Sequence, residues 1–307
     1  MKRVVMFSAG GGSWAAARRV AEAHGTANLT LLFTDTMMED ADAYRFLVQG
    51  AADVFGIDLP SQMVPAPYQF PDWTDRAAYK LFVDGLRREF EGAIPGLAWI
   101  ARGGDIWDVF RQERFLGNSS ADPCSKILKR QMAAAWLKAC CDPAATTVYV
   151  GIDKFEEHRF DDGEGGGVRP RRAKAGWRYE APLLEPPYLA PWDVRTLMRA
   201  RGIEPPQLYG RGYPHNNCGG VCVKAGHAQW ALLLRDAPDR FDFAAREEAA
   251  LREMLGDVSI LTDRSGDGVK KPLPLTAFRD RMLAEPQAAL AFEDWNAGCE
   301  CFLEAAE

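Results

Sequence analysis

The stretch that most limits what this chain can become is Ser8-Ala9-Gly10-Gly11-Gly12-Ser13. A short apolar run, Arg3 to Ser8, leads into it, and helical periodicity rich in alanine and arginine follows over 13–24. The pattern predicts a buried strand, a glycine turn and a helix. Glycines let the backbone take positive φ and approach a ligand closely. The helix beyond them offers unpaired N–H groups and the positive end of its dipole. Ser8 and Ser13 add hydroxyls. That chemistry suits a phosphate or a similar oxyanion, and it equally suits a turn that only packs helix on sheet. No lysine follows the glycines, so the stretch is not the Gly-x4-Gly-Lys-Ser/Thr nucleotide loop. It is not a clean Gly-x-Gly-x-x-Gly dinucleotide signature either.

Strands and helices alternate after this stretch. Residues 29–35 read as a second buried strand and 39–56 as a helix ending on Gly56. Residues 61–66 read as a third strand, 125–140 as a helix and 147–153 as a fourth strand. Alternation of this kind implies right-handed crossovers and a three-layer α/β/α, mostly parallel sheet. The glycine-rich segment 161–172 reads as a loop, and the pattern then changes to proline-rich short elements. Helical patterning returns over 226–256. The expected organisation is a nucleotide-type domain over 1–175 and a small cysteine-bearing extension over 176–307.

Composition narrows the class. The chain has 307 residues, a net charge of −6 and no apolar run of membrane-spanning length. The mild acidity argues against a protein that coats duplex DNA. The N-terminus reads as a strand rather than a signal peptide. Seven cysteines, an odd number in so long a chain, fit a reducing cytoplasm better than a disulfide scaffold.

Two constellations carry chemistry. Lys126, Lys129 and Arg130 have the i, i+3, i+4 spacing of one α-helical face, beside Cys124. Arg159 follows the fourth strand, where open α/β sheets place ligands, and suits a bidentate grip on phosphate or sulfate. Cys218 and Cys222 sit in a glycine-rich stretch, and Cys299 and Cys301 lie near the end of the chain. With Cys124 they make five candidates for a four-thiolate site holding a [4Fe–4S] cluster or zinc. Cys140 and Cys141 read as idle thiols, and Trp107 as core.

The opening stretch resembles the PP-loop, Ser-Gly-Gly-x-Asp-Ser, of the adenine-nucleotide alpha-hydrolase-like superfamily. Four further stretches are similar in the same order: 31–47 to its second strand with the Asp-Thr ending, 124–137 to the cysteine-bearing basic helix of sulfonucleotide (APS/PAPS) reductases, 148–159 to their Gly-x4-Glu-x-x-Arg strand and loop, and 179–222 to their proline- and tyrosine-rich block ending in paired cysteines. The resemblance covers roughly residues 4–225. It departs from the family at Gly12, where the pattern has Asp, at the single Cys124 followed by Ser125, at Cys218-x3-Cys222, and at a tail reading Glu-Cys-Phe-Leu after Cys299.

The resemblance implies an adenine nucleotide (ATP, APS or PAPS) held by Ser8, Gly10, Gly11, Gly12 and Ser13. Phe33, Thr34 and Asp35 would meet adenine or ribose. Lys126, Lys129, Arg130 and Arg159 would meet the anionic end. Three functions follow. A reductase would use Cys301 and a thiol partner to reduce a sulfonucleotide. An ATP pyrophosphatase-type enzyme, with ATP and magnesium, would adenylate a nucleobase of a nucleic acid or a small molecule. A sensor would bind nucleotide without turnover.

Overall fold

The computed structural model describes residues 1–118, 121–263 and 270–285. Its centre is a five-stranded sheet. In chain order the elements are β1 (Lys2–Met6), α1 (Gly11–His24), β2 (Leu29–Asp35), α2 (Ala41–Phe55), α3 (Arg76–Glu89), β3 (Leu97–Ala101) and α4 (Ile106–Glu113). A π-helical segment, Ser125–Gln131, runs into α5 (Met132–Cys140) and is followed by β4 (Thr146–Tyr149), α6 (Glu157–Phe160), α7 (Val168–Lys174) and β5 (Arg178–Glu180). The sheet order is β3-β2-β1-β4-β5, every pair parallel. The protein is therefore α/β, as the alternation of patterns implied.

The apolar runs are continuous because parallel strands of this kind are covered on both faces. Val5, Phe7, Leu31 and Phe33 enter one core with α1 and α2. Their neighbours Val4, Met6, Leu32 and Val148 enter a second core with Ala133 and Leu137 of α5. Helices thus pack on both sides of the sheet.

The third strand lies elsewhere than the sequence suggested. Residues 61–63 form a 3-10 turn, and β3 at 97–101 takes the edge position. Pro65 and Pro67 carry no N–H, so that stretch donates poorly to a ladder. Residue 175 falls between α7 and β5, and β5 joins the central sheet.

Beyond the sheet come α8 (Pro191–Ala200), α9 (Gln207–Gly210), α10 (His227–Asp236) and α11 (Pro238–Leu255). The helical stretch expected over 226–256 is two helices, because Pro238 starts a new one. A hairpin of β6 (Leu261–Asp263) and β7 (Lys271–Leu273) precedes α12 (Leu275–Ala284). The buried Glu248 ties this region together by accepting from the backbone N–H of Ile260 (2.9 Å) and Leu275 (2.5 Å). Among the described residues no helix is long and apolar enough to cross a membrane.

The sheet order reverses direction between β1 and β4. Such a switch point opens a crevice at the strands' C-terminal ends, where α/β sheets take ligands. The glycine stretch lies on that edge.

Candidate functional site

Ser13 organises the glycine loop. Its hydroxyl accepts from the N–H of Ser8 (3.1 Å) and of Gly10 (3.4 Å), and donates to the Gly10 carbonyl (2.9 Å). Ala9 is held in the left-handed region, with φ 54°, and its carbonyl accepts from Asn216 Nδ2 at 3.1 Å. The Gly11 N–H donates to the Tyr209 hydroxyl at 3.2 Å. The next amides, of Gly12 and Ser13, stand in the first turn of α1, where a helix supplies no acceptor of its own. Gly12 packs against the end of β4: a Cβ there would stand 2.7 Å from the Gly151 carbonyl oxygen. The carboxylate that the PP-loop pattern places at this position has no room.

A cavity of about 810 Å³ opens over the loop. Ser8, Gly10, Gly11, Gly12 and Ser13 all line it, and so do Lys129 and Arg159. Its size is that of an ordinary small-molecule site. Arg159 is tied to Glu156 within the turn that follows β4. Lys129 is 4% exposed. Its Nζ lies 3.7 Å from Glu39 Oε1 and donates to Asn217 Oδ1 at 3.4 Å. Burial works against the ammonium, but Glu39 and the neighbouring Cys218, Cys222 and Cys124 outweigh it, and the pKa is raised. His215 also lines the cavity, and burial, with Lys129 and Arg159 beside it, pushes its pKa down to about 4. It is neutral at pH 7. Its Nδ1 accepts from the Asn217 N–H at 3.4 Å, which leaves Nε2 as the protonated nitrogen.

The basic constellation divides. A π-helix has more residues per turn than an α-helix, so the i, i+4 rule fails across 125–131. Lys126 is exposed, whereas Lys129 and Arg130 are buried. Arg130 lies with Met6, Ala133 and Trp177 beside a separate small void, not on the main cavity. Of the three residues expected on one face, Lys129 alone reaches the cavity wall.

Phe33, Thr34 and Asp35 are buried and do not line the cavity. Asp35 Oδ1 accepts from the Met37 N–H (2.7 Å) and the Tyr44 hydroxyl (2.9 Å), and Oδ2 from Trp99 Nε1 (2.9 Å). Burial, and then the charge of Glu39, raise its pKa to about 6.

Cys124, Cys218 and Cys222 are buried near Lys129, close enough to perturb it and one another. Burial first, then the neighbouring Cys222 and Asp122, push the Cys124 thiol up to about 12. Cys218 is in the left-handed region, φ 55°, and its N–H donates to Glu39 Oε2 at 2.5 Å. Cys299 and Cys301 lie outside the described residues. Among the described residues no group of three or more His, Cys, Asp or Glu is placed to hold a metal ion. This part of the thiol set does not make a metal site by itself.

Sequence reasoning passed over Glu39, Arg195, Tyr209 and Trp192. Glu39 hides in an acidic helix start, and the others come from the proline-rich block, where no periodicity announces an inward face. No protein-family model matches the chain, and no curated protein or solved structure matches it.

Proposed function

We propose that the chain is a PP-loop-type enzyme that binds an adenine nucleotide in this cavity and reduces a sulfonucleotide at the expense of a thiol. One observation carries the reading. The cavity lies over the N-terminus of α1 at the β1/β4 switch point, and Lys129 and Arg159 stand on its wall. Helix amides and two cations together favour a multiply charged oxyanion.

The fit of Gly12 against Gly151 favours reduction over ATP cleavage. The carboxylate that ATP pyrophosphatases of this type place near the metal-bound pyrophosphate is absent, and its space is filled by backbone. In the reductive step a cysteine thiolate attacks the sulfur of the sulfo group. The S–O bond to phosphate breaks, the nucleotide leaves with the oxygen, and the enzyme carries an S-sulfocysteine. A second thiol attacks that cysteine's sulfur, giving a disulfide and sulfite. The reading assigns the nucleophile to Cys301, outside the described residues. Lys129 and Arg159 hold the leaving phosphate, and neutral His215 donates a hydrogen bond from Nε2.

The test incubates the protein with PAPS or APS plus a dithiol, and separately with ATP and magnesium. Sulfite and the free nucleotide are expected from the first mixture, and Cys301→Ser is expected to abolish sulfite while nucleotide still binds. AMP and pyrophosphate from ATP would replace the reading with adenylation of an acceptor. Tight binding with no product from either mixture would make the chain a sensor.

A further inference from the structure

Two large aromatic side chains stand at the mouth of the cavity. Phe155, in the turn after β4, is 68% exposed, and Trp192, in the first turn of α8, is 61% exposed; both line the cavity. Tyr188, 52% exposed, has Lys154 Nζ, from the residue next to Phe155, 5.9 Å from its ring centroid. Exposed aromatic clusters at the edge of a polar cavity mark binding surfaces. Arg195 lies three residues after Trp192, on the same face of α8, and also lines the cavity.

The cavity therefore has two chemically distinct ends. Its floor is helix amides, Lys129 and Arg159, and its mouth carries flat aromatic rings with Arg195 beside Trp192. A ligand that matches both carries multiple negative charge at one end and a planar heterocycle at the other. The residues at the end of β2 do not line this cavity, and their side chains are engaged elsewhere. Both Asp35 oxygens are engaged in the core, and the Phe33 ring packs edge-on to Trp99 with centroids 5.8 Å apart.

We infer that the nucleotide's base stacks at the mouth, on Trp192 with Phe155 beside it, and not at the end of β2. This rests on the nucleotide reading above and adds the orientation of the ligand: base outward, phosphates on the glycine loop. Trp192 is then the residue that distinguishes a nucleotide from inorganic pyrophosphate or sulfate.

Isothermal titration of the full chain with ATP, with adenosine 3′,5′-bisphosphate and with inorganic pyrophosphate tests this. Trp192→Ala is expected to raise the Kd of the nucleotides about tenfold, the usual loss on removing a base-stacking ring, and to leave pyrophosphate unchanged. Trp192→Phe keeps a ring and is expected to retain most of the affinity. Leu197→Ala, on an exposed position of the same helix, controls for distortion of α8 and is expected to match the wild type. Wild-type nucleotide binding that Trp192→Ala and Phe155→Ala leave untouched overturns the orientation while the nucleotide reading stands. Equal losses for pyrophosphate, or a loss in Leu197→Ala, overturn it as well. A wild type that binds neither nucleotide removes the reading and the orientation with it.

Discussion

Gly12 and Gly151 meet backbone to backbone. A Cβ on Gly12 would stand 2.7 Å from the Gly151 carbonyl oxygen, and a Cβ on Gly151 would stand 2.6 Å from Gly12 C and Ser13 N. The contact seats the first turn of α1 on the end of β4 and fixes the loop that floors the cavity. Gly12→Ala and Gly151→Ala are each expected to destabilise the fold by about 1–3 kcal/mol, as overpacking does, and to abolish pyrophosphate binding. Gly12→Asp should fare no better, although it restores the family's residue. Gly85→Ala, inside α3 with nothing within 4 Å of the new Cβ, should instead gain slightly. Thermal denaturation of the four variants decides it.

Ala9 sits at φ 54°, a conformation that costs an L-residue about 1–2 kcal/mol. Glycine relieves that strain but loses more entropy on folding, about 0.5–1 kcal/mol. Ala9→Gly should therefore leave the melting temperature level or slightly raised, whereas Ala16→Gly, inside α1, should lower it. Equal losses at both positions would contradict the backbone assigned to the loop.

Arg159 and Lys126 separate cleanly in charge recognition. Arg159 lines the cavity and Lys126 is exposed beyond it. Arg159→Ala is expected to weaken pyrophosphate binding tenfold or more, the scale of one charged hydrogen bond. Lys126→Ala should leave it within twofold. Titration calorimetry reads both, and an equal loss in the two variants would return Lys126 to the site.

Asp35 makes stability depend on pH. Its folded pKa, about 6, lies above the ordinary 3.8 because burial, and then Glu39, disfavour the charge. The fold therefore prefers the protonated form. That preference is fully present below about pH 4 and is lost as pH rises through 6, a change of about 3 kcal/mol. Urea unfolding of the wild type and Asp35→Asn should show the wild type losing ground to the variant over this range. A pH-independent difference would show that Asp35 titrates normally.

Thiol labelling should follow burial. Cys140 is exposed and Cys141 half-buried, whereas Cys124, Cys218 and Cys222 are buried, with thiols held protonated. Mass spectrometry after brief alkylation at pH 7.5 is expected to find Cys140 modified first among these five cysteines. The three buried thiols should react only in denaturant. Rapid labelling of Cys218 would mean that its loop opens in the native protein.

The sheet was legible because strands covered on both faces read as continuous apolar runs, and the glycine loop because its residue types are restrictive. β3 was missed because Leu97–Ala101 is brief and belongs to an edge. The cation site was half legible: Arg159 follows a strand end, but the spacing of Lys126, Lys129 and Arg130 assumed an α-helix that the chain does not form there. The aromatic mouth could not be read at all. Nothing local distinguishes Trp192 at a cavity rim from a tryptophan in a core; the difference is made by the path of the chain between β5 and α8.

The π-helical segment Ser125–Gln131 also acts as a register gauge. Each residue of an α-helix advances the side-chain direction by about 100°. The wide turn takes up one extra residue for roughly the same rotation, so its two flanks keep the faces they would have on an unbroken α-helix. Removing that residue would restore ordinary winding with Leu137 and Ala133 still facing the second core, and would shift only the positions inside the turn, Lys129 on the cavity wall among them.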